Sequence, residues 1–236
     1  FIPLIFGLQE LYPWTHPEIV KGDRILEGKA GWLNPNFFIL RSFIYFAIWS
    51  FFSLGIYRNS TRQDVTKNIQ HMHNNATYSA PGLLLVFLAT SFASFDWLMS
   101  LDPHWYSTIY GIYIYAGGGL TSMCVLVLIS LGLRSAGVLK NSIHVEHYHD
   151  LGKWMFAVTV FWTYVSFSQY MLYWYANIPE ETIWFKHRFE GTWMFFSKAL
   201  VFGHWIFPMF FLITRRTKRN LTTLGFMAVW LLVMDY

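Results

Sequence analysis

Residues Ala93 to Leu120 read ASFDWLMSLDPHWYSTIYGIYIYAGGGL, and this stretch decides the fold. An apolar run of membrane-spanning length ends inside it and another begins almost at once. The connector between them holds Asp96, Asp102, Pro103 and His104, flanked by Trp97, Trp105 and Tyr106. Two acids and a histidine thus sit where a helix leaves the bilayer, beside aromatics that prefer the membrane–water interface. So short a connector predicts that the two helices are antiparallel neighbours and that these polar groups share one small space.

Composition extends this reading outward. Hydrophobic residues make up 55% of the chain and charged residues 13%, where a soluble domain carries roughly 25% charged. Aromatics reach 21%, in keeping with several interfacial belts. The expected fold class is all-α: a polytopic transmembrane helix bundle of about seven helices, a single domain over 1–236. Phe1 to Leu8 is apolar but lacks a basic leading segment and a small-residue cleavage site, which excludes a signal peptide. We read it, and the stretch ending at Asp235-Tyr236, as cut helices, and the chain as a fragment of a longer one. The single cysteine, Cys124, excludes disulfides, iron–sulfur clusters and CxxCH haem attachment within this chain. Inside an apolar run it reads as a small buried hydrophobe. The net charge of +4 resides in loops and calls for no nucleic acid.

In chain order, a helix over Phe1 to about Tyr12 leads into a mixed-charge loop, Pro13 to Leu33. A second helix covers about Asn36 to Tyr57, and a polar loop Arg58 to Tyr78. Ser79 and Pro81 read as an N-cap and first-turn pair for the third helix, which ends near Ser100. The fourth runs from about Trp105 to Leu133; its Gly117-Gly118-Gly119 either admits a close neighbour or breaks the helix. A loop over Arg134 to Asp150 precedes the fifth helix, Leu151 to Ala176. The loop Asn177 to Glu190 precedes the sixth, Gly191 to Thr214, with Pro208 as a kink candidate. Arg215 to Arg219 is a basic turn, and the last helix starts at Asn220. Each full segment exceeds the roughly 20 residues that cross the hydrocarbon.

Basic residues orient the chain. Loops at 58–79, 134–150 and 215–219 supply Arg58, Arg62, Lys67, Arg134, Lys140, Arg215, Arg216, Lys218 and Arg219; the opposite loops supply only Lys21, Arg24, Lys29, Lys186 and Arg188. The richer set belongs in the cytoplasm, which puts Asp102 and His104 outside.

The candidate residues follow from the cost of polarity in lipid. Asp96 lies about one turn inside a helix end, where an acid costs roughly 2–3 kcal/mol unless partnered; it could pass a proton from a substrate outward. Asp102-Pro103 also reads as turn chemistry and His104 as a wet loop residue. Gln169 and Tyr170, with Tyr173 and Trp174, lie in the outer half of the fifth helix, where an aromatic belt is the alternative reading. Lys198 either snorkels or pairs with an acid, with Asp96 nearest by level. His204 lies deeper still, as a helix–helix hydrogen-bonding residue or a proton carrier. Asp150 and Lys153 start the fifth helix as dipole-complementing charges or a cytoplasmic proton inlet. His144, Glu146, His147 and His149 read as solvated loop residues, so no metal is expected. Only His204 is deep, and a b-type haem needs two facing histidines, which excludes that haem here. Three glycosylation sequons, at Asn59, Asn75 and Asn220, fall on the cytoplasmic face and are coincidental. Together the groups form an outer set (Asp96, Asp102, His104, Gln169, Tyr170, Glu180, Glu181, His187, Arg188) and an inner set (Asp150, Lys153), with His204 between. A transporter fits this, and so does a quinone-handling subunit of a respiratory complex.

Three segments carry a resemblance. Phe95-Asp96-Trp97-Leu98-Met99-Ser100-Leu101-Asp102-Pro103-His104-Trp105 resembles a segment of the F-type membrane subunit of bacterial alternative complex III, a quinol:electron acceptor oxidoreductase. That subunit is of the NrfD-like (polysulfide-reductase-type) class. Phe167-Ser168-Gln169-Tyr170 followed by Trp174 to Thr182 is similar to its second signature. Gly203-His204-Trp205-Ile206-Phe207-Pro208 before Thr214 to Asn220 is similar to a third. The resemblance covers most of the chain from about Leu4 onward; Lys198 stands outside its pattern. It implies a ten-helix subunit of the bacterial inner membrane, a sister NrfD-like membrane subunit, multihaem and monohaem cytochrome c subunits and an iron–sulfur subunit. Menaquinol or ubiquinol would be oxidised in the complex, with haem c and iron–sulfur clusters held by the partners and no redox centre in this chain. The resemblance implies a structural or proton-conducting role; with the residues above, we read it as membrane anchoring and a proton path through Asp96, Gln169 and His204, with Asp150 and Lys153 at its inner end. A pure scaffold and a stand-alone secondary transporter are the alternatives.

Overall fold

Asn34 and Pro35 start the first long helix. The Asn34 side chain accepts from the Phe37 amide at 2.9 Å, and Pro35 stands where its missing N–H would lack an intrahelical partner anyway. The computed structural model describes residues 2–138 and 141–235. It contains α1 (Pro35–Thr66), α2 (Gln70–Trp97), α3 (Ile109–Ser135), α4 (Val145–Ala176), α5 (Pro179–Arg188), α6 (Trp193–Ile213) and α7 (Leu221–Asp235). Shorter helical turns cover parts of residues 2–29, Met99–Leu101 and Arg215–Arg219, and no strand occurs among the described residues. The fold is all-α. By length and composition α1, α2 with its extension to Leu101, α3 and α6 can cross a membrane. α4 is as long as α1, but its Ser, Thr, Tyr and Trp residues lower its apolarity below theirs. α7 is apolar and 15 residues long. These are the helices of a membrane protein.

Several boundaries differ from expectation. The polar stretch 58–78 is helical except at 67–69. It lacks Pro and Gly, so nothing stops α1 until Lys67 turns left-handed at φ 54°. Polarity marks where the helix meets water, not where it ends. Ser79 and Pro81 consequently lie within α2 rather than at its start. α4 begins at Val145, before the expected Leu151, because His144 caps it: the His147 side chain accepts from the His144 amide at 3.1 Å. The expected loop 177–190 holds α5, with Pro179 at its first turn. The expected helix over 1–12 is the two short helices Ile2–Phe6 and Leu8–Leu11. Arg215–Arg219 is one turn of helix, begun by the Thr214 hydroxyl accepting from the Thr217 amide. Lys140, counted among the basic residues, lies outside the described residues, as does the side chain of Glu180.

The chain divides into two compact units, Phe1–Gly111 and Ile112–Tyr236. In the first, α1 and α2 are antiparallel: Arg41 and Tyr45 meet Asp96, while Phe52 meets Gly82 and Gly55 meets Tyr78. Gly82 is required there, since a Cβ would lie 2.9 Å from the Phe52 ring. Trp97 packs among Tyr45, Phe46 and Trp49. Leu8, Tyr12 and Trp14 bury against Phe38. The Tyr12 hydroxyl donates to Trp97 O at 2.9 Å and the Trp14 indole to Ser100 O at 3.1 Å, so the amino-terminal layer is tied to the end of α2.

In the second unit the core joins Leu120, Cys124 and Val127 of α3, Tyr148 and Met155 of α4, Leu212 of α6, and Leu224, Met227, Ala228 and Leu231 of α7. The glycine triplet does not break α3. Gly117 faces Trp162 and Gly119 faces Val158, so two of the three let α4 side chains approach. Lys218 is buried, and its Nζ donates to the carbonyls of Leu212 and Ile213, closing the end of α6. Burial, then the charge of Lys153, lowers its pKa from the ordinary lysine value.

Candidate functional site

Asp96 closes the end of α2 with a complete set of partners. Arg41 donates from Nε to Oδ2 at 2.7 Å and from Nη2 to Oδ1 at 2.8 Å. Tyr45 donates to Oδ2 at 2.7 Å and the Trp32 indole to Oδ1 at 2.9 Å. The guanidinium stacks on Trp32 and Phe37, 4.1 and 4.3 Å from their ring centres, and Nη1 donates to Trp32 O. Asp96 is fully buried. A buried carboxylate with four donors and a bidentate cation is an anchoring group. Its charge partner is Arg41, not Lys198, which is exposed on this chain.

Around it the connector is held by the loop before α1. His104 Nε2 meets Asp23 Oδ2 at 2.5 Å, and Lys29 Nζ donates to Pro103 O at 2.6 Å. Asp23 also caps the short helix Arg24–Lys29. The His104 hydrogen bond, with the Leu26 and Ile25 amides, holds Asp23 below the usual carboxylate range. Burial lowers the pKa of Lys29, against the opposing charges of Asp102 and Asp23. Asp102 is exposed. This cluster is a clasp of charged and backbone groups at one end of the first unit.

The second unit holds the other buried titratable group. His204 is fully buried in α6, within a π-helical run over Leu200–Ile206. Phe207 N–H bonds Phe202 O, five residues back, and Pro208 has no N–H to give. The register change releases Gly203 O from Phe207, and the Trp230 indole takes it at 2.8 Å. His204 Nε2 meets Asp235 Oδ1 at 2.6 Å; Asp235 Oδ2 accepts from the Thr121 hydroxyl at 2.9 Å. The His204 ring lies against Trp162, 3.9 Å between centres. Nδ1 is buried without a partner among the described residues. The site is thus a buried imidazole–carboxylate contact whose other ring nitrogen is unpartnered among the described residues, α6 providing the histidine, α7 the acid and α3 the hydroxyl.

The other candidates are dispersed. Gln169 is buried seven residues along α4 from Trp162, on the same side of the helix. Tyr170 packs on Phe185 and Phe189, as a belt residue would. Asp150 pairs with Lys153 at 2.7 Å, both exposed, an i,i+3 contact at the start of α4. Among the described residues no three His, Cys, Asp or Glu are placed to hold a metal ion. A quinol head needs acceptors for two hydroxyls. The aromatic pocket of about 500 Å³ formed by Phe202, Ile206, Phe207, Phe210 and Phe211 has no polar side chain, and His204 Nδ1 is enclosed. These residues do not fit a quinol head.

Two partners escaped the sequence reading. Arg41 carried a signal, a cation six residues into an apolar helix, which demands an acid nearby. Asp235 lay in a stretch read only as a cut helix. The chain matches no model of a known protein family, and no curated protein matches it in sequence.

Proposed function

We propose that this chain is an integral membrane subunit of a quinol-oxidising respiratory complex of the alternative complex III kind, placed in a bacterial inner membrane. It anchors the complex and handles protons; electrons pass through partner subunits bearing haem c and iron–sulfur clusters. The observation that carries the proton role is the enclosed His204–Asp235 pair, with Nδ1 unpartnered among the described residues. Ionisable groups inside transmembrane bundles commonly mark proton routes, and a π-helical run is frequent at such sites. The family assignment rests on the three sequence segments, and the basic loops support a cytoplasmic location for the ends of α1 and α3. Oxidation of quinol is assigned in this reading to a sister membrane subunit, which the pocket lined by Phe202, Ile206, Phe207, Phe210 and Phe211 supports by having no polar side chain.

A scaffold without proton traffic is the second reading. The saturation of Asp96 by Arg41, Tyr45 and Trp32 favours it for the first unit.

The test is purification of the tagged full-length protein in mild detergent, followed by haem staining and mass spectrometry. Co-purified c-type cytochromes and an iron–sulfur subunit support the complex. A lone, haem-free, monodisperse protein overturns it in favour of a stand-alone transporter. Within the complex, His204→Gln that leaves proton release per turnover unchanged reduces the chain to a scaffold.

A further inference from the structure

A pocket of about 460 Å³ opens at the end of α3 in the second unit, lined by Leu131, Arg134, Ser135, Gly137 and Leu221. It lies at the last turn of a 27-residue apolar helix. Such a helix is about 40 Å long at 1.5 Å per residue, so its ends reach the headgroup layer. Arg134 is fixed in the wall: Nη1 donates to Ile143 O at 2.7 Å, and the guanidinium lies 6.0 Å from the Tyr148 ring centre. Its Nε and Nη2 have no partner among the described residues. The wall opposite is Leu221, the first residue of α7, immediately after the basic turn Arg215–Arg219. Arg215 and Arg216 of that turn are exposed, while Arg219 is engaged by Glu146 and Lys218 by carbonyls. Leu126 and Ile129 of α3 are exposed on the side of that helix away from Leu131 and Arg134, and Phe226 and Val229 of α7 are exposed as well.

We propose that this pocket binds the phosphate of an anionic phospholipid, held by Arg134, with its acyl chains in the surrounding bilayer. A fixed guanidinium with two unused donors suits a phosphate oxygen pair. The leucine walls suit the glycerol and first methylenes, and the uncompensated charges of Arg215 and Arg216 select a headgroup that adds no positive charge. A zwitterionic lipid brings an ammonium into that field and is disfavoured. The proposal needs only that α3 crosses a membrane and is independent of the respiratory reading.

The full-length protein, in whatever complex it purifies, is placed in nanodiscs of phosphatidylcholine with a minor share of phosphatidylglycerol. Retained lipid is then read by native mass spectrometry after transfer to detergent. Phosphatidylglycerol enriched over its share in the disc is the expected result. Arg134→Gln lowers that enrichment about fivefold, the worth of one basic contact near a membrane surface. Leu221→Trp, which fills the pocket without changing charge, lowers it as well and covers the case in which Arg134→Gln misfolds. Enrichment unchanged in either folded variant overturns the proposal, as does equal retention of both lipids. Displacement of the lipid by millimolar inorganic phosphate would show a phosphate site without lipid selectivity, and also overturns it.

Discussion

Arg41 grips Asp96 at two points, Nε on Oδ2 at 2.7 Å and Nη2 on Oδ1 at 2.8 Å, and joins the start of α1 to the end of α2. Removing one partner strands the other charge in the interior. Arg41→Met should therefore destabilise the first unit by about 3–5 kcal/mol, the usual cost of orphaning a buried ion. Tyr45→Phe removes one hydrogen bond to a charged acceptor and should cost about 1.5–3 kcal/mol. The double variant Arg41→Met, Asp96→Leu should recover much of the loss. Thermal unfolding in detergent ranks the three; equal melting of Arg41→Met and the parent would mean that the pair contributes nothing.

His204 and Asp235 predict function rather than stability. His204→Gln retains a hydrogen-bonding group beside Asp235 but no basic lone pair. On the proposed function it should leave folding intact and lower proton-coupled turnover of the assembled complex by about 10²-fold, the lower end of what a positioned acid–base group supplies. Asp235→Asn should have a similar effect, because it removes the charge that holds the imidazole tautomer. Turnover in proteoliposomes with a pH-sensitive dye reads both.

The two buried clusters were unequally legible in the sequence. Asp96 and His204 stood out because a polar residue inside an apolar run is costly, and that signal needs no neighbour to be seen. Their partners, Arg41 and Asp235, lie 55 and 31 residues away, and periodicity does not pair residues across helices. The helices themselves were legible by apolar length. Their ends were not, as at Thr66 and Val145, because hydropathy reports the bilayer while capping and the absence of breakers decide where the backbone stops. The proton-path reading of Asp96 depended on its lacking a strong partner; four donors now surround it.

Tyr12 titrates as a reporter of the amino-terminal layer. Burial first, and then the negative charge of Asp96, push its pKa up to about 12. The neutral hydroxyl is the form that donates to Trp97 O. A raised folded-state value means that this stabilisation is fully present below the ordinary value of 10.0 and is lost as pH rises through about 12. Phenolate absorbance should therefore show fewer tyrosines ionising near pH 10 in the parent than in the unfolded chain. Tyr12→Phe should remove from the delayed part the one tyrosine that ionises near pH 12.

The Asp23–His104 contact has the opposite sign. Asp23 lies below its ordinary 3.8, chiefly through the hydrogen bond with His104. Its contribution is present above pH 3.8 and is lost as pH falls through the lower folded-state value. Hydrogen exchange in residues 13–33 should accelerate on acidification below that point. In His104→Ala the acceleration should begin at higher pH, and an unchanged onset would sever the loop from the connector.

Two glycines separate backbone contact from side-chain contact. A Cβ on Gly111 would lie 2.7 Å from Ser91 Cβ and 3.1 Å from Ser91 Cα, so the backbones themselves must part. Gly111→Ala should cost about 1–3 kcal/mol through overpacking. A Cβ on Gly203 would lie 2.7 Å from Met234 Cε, the far end of a flexible thioether that can turn aside. There the better helix propensity of alanine, worth about 1 kcal/mol, offsets the crowding, and Gly203→Ala should melt within about 1 kcal/mol of the parent. Met234 stands next to Asp235 in α7, so the same variant asks whether the His204 pair tolerates motion beside it. Retained turnover with unchanged melting would show a pair held by Thr121 and the π-helical backbone, whereas lost turnover with unchanged melting would show that Met234 positions the acid.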